Sequence, residues 1–241
     1  MSKNFFLAVF LLTSASFFWS GNFFAGKIAY LSDLTPFKLG FFRWLLAMLI
    51  LLPFTYSEII RNYNYYKKNI LLMTFLGFLA VTVFNSLTYI SLQTTLIINS
   101  TLMASIAPVL MIGFSWLIFK TKTTTLQFAG IFLSLLGAFS IILKGNINNL
   151  FNLYFTSGDV WMFTAVVSWC LYSVLLKKID NSISQLASLQ VMVILGLLFI
   201  FPLYVIENYN TSFLPTQKID FVIIIYVAIF ASIIAFFSWN K

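Results

Sequence analysis

Eight stretches of about 20 predominantly apolar residues run through this chain, and no other feature restricts its fold as strongly. In a bilayer core no water satisfies the backbone N–H and C=O groups, so stretches of this length cross it as α-helices. The breaks between the stretches contain positively charged residues, glycine or proline. The sequence therefore predicts an all-α, polytopic membrane helix bundle with eight spans, at about 5–29, 37–56, 70–92, 95–119, 126–143, 159–178, 184–205 and 220–239.

The composition excludes a water-soluble domain. Only 8% of the residues are charged and 61% are hydrophobic, whereas a soluble domain has about 25% charged residues. The net charge of +8 lies mostly in short breaks between spans, so we attribute it to membrane topology rather than to nucleic-acid binding. The chain has no histidine, the commonest catalytic base and metal ligand, and we expect no metal site. A single cysteine, Cys170, excludes an intrachain disulfide.

The distribution of lysine and arginine predicts the orientation of the bundle. Cytoplasmic loops of membrane proteins carry an excess of these residues. With a cytoplasmic N-terminus, nine positive residues fall on the inner side, four fall on the outer side, and Arg43 lies within a span. We therefore expect the N-terminus inside. The inner set is Lys3, Arg61, Lys67, Lys68, Lys120, Lys122, Lys177, Lys178 and Lys241, and the outer set is Lys27, Lys38, Lys144 and Lys218.

Two pairs of segments indicate an internal repeat. Residues 16–28, SFFWSGNFFAGKI, resemble 166–179, VVSWCLYSVLLKKI, and LPFTYSE (52–58) resembles FPLYVIE (201–207). The shifts, which pair Trp19 with Trp169 and Glu58 with Glu207, are 150 and 149 residues. A shift of five helices is odd, so the second copy has inverted topology. We interpret 1–150 as a five-helix repeat and 151–241 as an incomplete second one, and expect two further helices in the complete protein.

The order of the motifs resembles the EamA branch of the drug/metabolite transporter superfamily. The first span carries FWSGNFFAGK, the second FFRWLLAMLILLP, the third and fourth end in SLQTTLIINSTLMASIAPVL, and the sixth begins GDVWMFTAVVSWCLYS. The resemblance implies a ten-helix transporter of small metabolites in a bacterial inner (plasma) membrane. The family usually has a glutamate after the fourth helix, where this chain has FKTKTTT (119–125), which puts any salt bridge of that glutamate in doubt.

Arg43 places a permanent charge within the second span, roughly 9 Å from its outer end at 1.5 Å per residue. Such a charge costs on the order of 2.5–3.5 kcal/mol at a helix centre. One interpretation is that the side chain reaches back to the outer headgroups. We favour the other, in which it faces the bundle interior and attracts a substrate carboxylate, because charges within membranes usually serve function.

Other polar and aromatic residues mark faces that point into the bundle. Trp19 and Trp169 fall near mid-membrane at equivalent positions of the two copies, where repeats of this kind meet at the substrate. The alternative for each polar residue is a hydrogen bond that joins helices. Pro108 predicts a kink in the fourth span, which suits a gating element or is a packing bend. The predicted substrate-binding residues are Trp19, Asn22, Arg43, Asn85, Tyr89, Asn99, Trp169 and Tyr172.

These residues predict a transporter, an exporter of amino acids or related small organic compounds that works by alternating access without a cofactor. The six acids lie in loops or at helix ends, which favours movement without a proton-relay carboxylate. The alternatives are a nucleotide-sugar or phosphorylated-sugar carrier, which needs several cations for its phosphates, and a structural membrane protein. An enzyme is excluded, because no nucleophile with a base, carboxylate pair or metal cluster is present. The expected partners are a small-molecule substrate and the lipid bilayer, without nucleic acid.

Overall fold

The computed structural model describes residues 3–122, 124–142 and 156–240, and these fold into a bundle of long helices that includes no strand. We number the eight long helices in chain order; a six-residue helix, Tyr63–Lys68, lies in the connection after the second. The bounds are α1 Lys3–Leu31, α2 Pro36–Arg61, α3 Ile70–Thr94, α4 Ile97–Phe119, α5 Thr125–Ile142, α6 Ser157–Lys178, α7 Gln185–Glu207 and α8 Lys218–Asn240.

The predicted all-α polytopic bundle is confirmed. Seven of the described helices, all except α5, are long and apolar enough to cross a membrane. In α5 the apolar helix that meets these criteria in part is Thr125–Ala138, which is shorter. The predicted end of this span at residue 143 and the predicted repeat boundary at residue 150 lie outside the described residues.

The two ends of the bundle are named here by the course of α1, which begins at the near side and ends at the far side. The end of α1 contacts the start of α8, the start of α2 contacts the end of α7, and the end of α3 contacts the start of α6. All three contacts lie at the far side. Successive helices therefore run in alternating directions.

The helices pack in pairs that follow the repeat. α1 packs on α8, α3 packs on α6, and α2 packs on α7 along much of its length. The repeat shift converts α1, α2 and α3 into α6, α7 and α8. Applied to the pair of α1 and α8, it therefore gives the pair of α6 and α3, and it returns α2 and α7 to each other. This exchange is the pairing expected of inverted repeats related by a pseudo-two-fold axis.

α3 and α8 each contain a π-helical segment, at Phe78–Phe84 and Val227–Ile234. In α3 the side-chain Nδ2 of Asn85 donates to the carbonyl oxygen of Ala80 at 2.6 Å. In α8 the Oγ of Ser232 donates to the carbonyl oxygen of Val227 at 2.9 Å. Each bond reaches five residues back, the spacing of a π turn. Such turns occur frequently at functional sites, and here they aim Asn85 and Ser232 at the middle of the bundle.

The predicted bend in α4 lies just before Pro108. α4 consists of two parts, Ile97–Ala104 and Ala107–Phe119, with Ser105 and Ile106 in a turn between them. Pro108 thus falls in the first turn of the second part, where its missing N–H leaves no intrahelical bond unmade. Whether this bend takes part in gating stays a prediction.

Glycines permit α3 and α7 to approach closely. A Cβ at Gly77 of α3 would overlap the carbonyl oxygen of Met192 in α7. A Cβ at Gly196 would lie 2.8 Å from the carbonyl oxygen of Gly77. Thr82 uses this proximity and donates from Oγ1 to the carbonyl oxygen of Gly196 at 2.9 Å. Close backbone contact at small residues is a main source of helix association in membranes.

We therefore expect Gly77→Ala to destabilise the bundle, because overpacking a close contact costs about 1–3 kcal/mol. The melting temperature of purified protein in detergent measures the effect. Gly113→Ala in α4 is the matched control, since a Cβ there meets no atom within 4 Å. Equal melting temperatures for the two variants would contradict the close α3–α7 contact.

Candidate functional site

Arg43 lies in the interior of the bundle, where its side chain is 0% exposed. Its Nη1 donates to the Oδ1 of Asn22 at 3.1 Å, the Oδ1 of Asn85 at 2.5 Å and the hydroxyl of Tyr89 at 2.6 Å. Its Nε donates to the Oγ of Ser232 at 2.6 Å. We call these five residues the Arg43 network. It joins α1, α2, α3 and α8, so the guanidinium faces the bundle interior rather than the headgroups.

The oxygens that accept from Arg43 are all neutral; within the described ranges no carboxylate bonds to it. Tyr89 accepts from Arg43 and donates in turn to Asn22 at 2.8 Å. The guanidinium carbon lies 5.0 Å from the ring centroid of Trp44, a cation–π contact that spreads the charge further. The buried Nη2 atom has no hydrogen-bond partner among the described residues. The site therefore holds a positive charge without a counter-charge and with one free donor group.

Aromatic rings pack beside this network. Trp19 of α1 and Trp169 of α6 meet edge to face with their ring centroids 4.9 Å apart. Trp239 lies 5.6 Å from each, and Phe236 lies 5.8 Å and 5.2 Å from them. The indole Nε1 of Trp19 donates at 3.1 Å to the carbonyl oxygen of Ala231, within the π segment of α8. The structure thus brings the equivalent tryptophans of the two repeats together.

Two further predicted residues have different positions. Tyr172 belongs to the rings, since its centroid lies 5.1 Å from that of Trp169 and its hydroxyl donates to the Oδ1 of Asn240 at 3.1 Å. Trp19, Trp169, Tyr172, Phe236 and Trp239 together form the aromatic cluster. Asn99 is half-buried in α4 and belongs to neither the Arg43 network nor the aromatic cluster. The structure therefore groups seven of the eight predicted residues and leaves Asn99 apart.

The sequence analysis missed the contribution of α8. Ser232, Phe236 and Trp239 all lie on this helix. One signal was present, because the shift of 150 residues that pairs Trp19 with Trp169 also pairs Thr82 with Ser232. Thr82 lies on the polar face of α3, so the repeat pointed to Ser232.

A cavity of about 700 Å³ opens at the near side between α4, α6, α7 and α8. Its wall includes Ser115, Ser188 and the loop from Ile179 to Ile183, and it carries both lysines and an acid. Trp239 of the aromatic cluster lines its inner part. The cavity therefore leads from the near-side surface to the aromatic cluster. Its charged residues are Lys122, Lys177 and Asp180.

Hydrogen bonds between helices close the far side. The Oε2 of Glu207 accepts from the backbone N–H groups of Phe37 and Lys38 at 2.9 Å and 3.3 Å, at the start of α2. Lys27 of α1 donates from Nζ to the carbonyl oxygen of Leu92 at the end of α3, at 2.7 Å. Two hydroxyls complete the set: Thr95 donates to Asp159 at 2.6 Å, and Ser32 donates to Asp220 at 2.8 Å. The bundle is thus open at the near side and closed at the far side.

Comparison with known proteins places this architecture. The model of the EamA-like transporter family matches residues 6–143 and again 156–241. The uncharacterized transporter YyaM of Bacillus subtilis (strain 168) is 28% identical over 197 residues, which cover 81% of this chain and 63% of that protein. An uncharacterized transporter of Archaeoglobus fulgidus is 25% identical over 239 residues, or 95% of this chain and 77% of that protein. The match to YyaM therefore spans less than two thirds of that protein's length.

A solved structure has the same fold. A crystal structure titled only as a protein superimposes with a TM-score of 0.66 and 14% sequence identity, covering 97% of this chain and 77% of that one. The two family matches confirm the repeat in this sequence and extend over nearly all of it. The chain belongs to the EamA-like transporter family of the drug/metabolite transporter superfamily, and it is a membrane transporter rather than an enzyme.

Proposed function

We propose that this transporter carries small carboxylate-bearing metabolites, amino acids or related compounds, out of the cell by alternating access. One observation supports the substrate class above all others, the buried Arg43 charge with its free Nη2 beside an aromatic cluster. An arginine–carboxylate pair is a strong, charge-assisted interaction that a planar guanidinium makes with two parallel bonds. The neutral oxygens of the Arg43 network hold the side chain in place and leave its charge for a substrate.

The aromatic cluster suits the remainder of such a substrate. Trp19, Trp169 and Trp239 offer ring faces and edges within one contiguous group. Aromatic rings bind apolar groups by burial and ammonium groups by cation–π attraction. A zwitterion with an apolar side chain therefore finds a partner for each of its parts between Arg43 and the cluster.

The near-side cavity supports the same size class. Its volume of about 700 Å³ lies within the roughly 300–1,000 Å³ of typical small-molecule sites. Lys122 and Lys177 on its wall raise the local concentration of anions. Phosphorylated ligands need several cations close together, and Arg43 is the sole cation of its network. This favours a carboxylate over a nucleotide sugar.

The orientation and the residue roles belong to the same proposal. With the N-terminus in the cytoplasm, as the lysine and arginine distribution favours, the open cavity faces the cytoplasm and loads substrate for export. Arg43 anchors the carboxylate, and Asn22, Asn85 and Tyr89 position Arg43. The bend before Pro108 lets α4, which lines the cavity, move during gating.

We expect Asn85→Asp to abolish transport while keeping the protein folded. The new carboxylate lies where Oδ1 of Asn85 now accepts from Arg43, so it neutralises the guanidinium and competes with the substrate. Transport of a radiolabelled substrate into vesicles and the melting temperature of the same preparation measure the two effects. A variant that transports at the native rate would refute the role of the Arg43 charge. Asn69→Asp at the start of α3, outside the Arg43 network, is the matched control and keeps its activity.

Profiling culture media tests export and identifies the substrate. Cells that express the complete gene should accumulate a group of carboxylate compounds outside, relative to an empty vector. Arg43→Ala should remove this accumulation although the protein stays in the membrane, because the carboxylate anchor is lost. Identical media for gene and vector, with the protein correctly inserted, would exclude export.

We expect transport to follow the substrate gradient without proton coupling. The six acids of the chain lie in loops or at helix ends, and the buried Asp159 and Asp220 cap the first turns of α6 and α8. Uptake into vesicles under an imposed pH gradient, with the membrane potential clamped, measures the coupling. Accumulation that follows the pH gradient would show a proton relay.

A further inference from the structure

A small pocket of about 10 Å³ lies at the far side between α1, α2 and α3. Eight residues line it, and Leu39 and Tyr89 form part of the wall. Leu39 is 1% exposed, so the pocket is closed in this structure. Its size alone suggests a packing defect, but its lining does not.

The lining of the far-side pocket repeats the lining of the near-side cavity. Six of its residues on α1, on α2 and in the connection between them have their repeat counterparts in the wall of the near-side cavity, at the shifts already found in the sequence. The pairs are Gly26 and Leu176, Ala29 and Ile179, and Tyr30 and Asp180 at a shift of 150, and Leu34 and Ile183, Pro36 and Gln185, and Leu39 and Ser188 at a shift of 149.

The same correspondence extends to the centre of the bundle. Tyr89 of α3 lines the far-side pocket, and its counterpart at a shift of 150, Trp239 of α8, lines the near-side cavity. Tyr89 belongs to the Arg43 network, and Trp239 belongs to the aromatic cluster. Each compartment therefore reaches, through an equivalent aromatic residue, one part of the central site.

We propose that the far-side pocket is the closed form of a second substrate cavity. In the alternate conformation it opens to a size like that of the near-side cavity and releases the same carboxylate compounds past Arg43 and Tyr89. The proposal rests on the alternating access of the proposed function. Equivalent residues enclose about 700 Å³ in one repeat and about 10 Å³ in the other, as expected when inverted repeats exchange conformations.

Two glutamates at equivalent positions control the exchange. At the far side Glu207 of α7 caps the start of α2 through the N–H groups of Phe37 and Lys38. Its counterpart Glu58, at the end of α2, instead pairs with the exposed Arg61 on its own helix. A carboxylate at a helix N-terminus is stabilising, so each contact favours the conformation in which it forms.

The start of α7 is available to Glu58. Its cap is Ser184, whose Oγ accepts a long bond of 3.4 Å from the N–H of Ala187. Ser184 and Thr35 are the N-caps of α7 and α2 and correspond at the shift of 149 that pairs Glu58 with Glu207. When the far side opens, Glu207 leaves α2 and Glu58 turns from Arg61 to the first N–H groups of α7.

Cysteine labelling tests the second cavity without any substrate. In a Cys170→Ala background, single cysteines replace Leu39 and its counterpart Ser188, and the rate of reaction with a charged maleimide is measured in detergent. We expect fast labelling at position 188 and slow labelling at position 39. Glu207→Gln should raise the rate at position 39 and lower it at position 188, each by about two- to fivefold, the factor for losing a carboxylate from a helix N-terminus.

Glu58→Gln is the matched reciprocal variant and should shift both rates in the opposite direction. Ala47→Cys, equally buried on α2 but outside both compartments, controls for general loosening and should stay unlabelled throughout. Position 39 labelling no faster than position 47 in every variant would overturn the second cavity. A rate at position 39 that responds to Glu207→Gln but not to Glu58→Gln would overturn the exchange of the two glutamates.

The labelling result and the export result are separable. Reciprocal labelling without any exported metabolite would support the second cavity and refute the proposed substrate or direction. Export through a protein whose position 39 never reacts would support the proposed function and overturn this inference.

Discussion

The burial of one guanidinium among neutral oxygens determines how the centre of this bundle is built. A permanent charge in an apolar interior is costly unless hydrogen bonds compensate it, and here Asn22, Asn85, Tyr89 and Ser232 supply them from three other helices. Since the partners are uncharged, they hold the side chain without neutralising it. The same arrangement stabilises helix association and keeps an electrostatic site for an anion.

The internal repeat explains most of the remaining architecture. Its shift relates the helix pairs, the π segments of α3 and α8, and the linings of the two compartments. Each π segment turns a polar side chain, Asn85 or Ser232, toward Arg43. The charge and the repeat are thus coupled, because both copies contribute an equivalent helix to the network.

The sequence predicted the features that have a strong chemical signal. Long apolar stretches predicted the spans, a charge within one of them predicted Arg43, and matched tryptophans predicted the meeting of Trp19 and Trp169. α8 was missed because Ser232 lies in an apolar segment without charge or amide, and a serine there usually joins helices. The π segments were missed because one extra residue in a turn leaves no periodic pattern. Asn99 was selected for residue type alone, and the structure places it apart from the others.

The repeat is not symmetric in charge. At the shift of 149 the counterpart of Arg43 is Met192, which lines the near-side cavity. A carboxylate that crosses this protein therefore meets a thioether at one stage of its path and a guanidinium at the equivalent stage of the other half. Although the two halves share one fold, the potential along the path is lower for anions toward the far side. Inorganic and organic cations of the same size meet the opposite gradient, so the bundle discriminates by sign of charge as well as by shape.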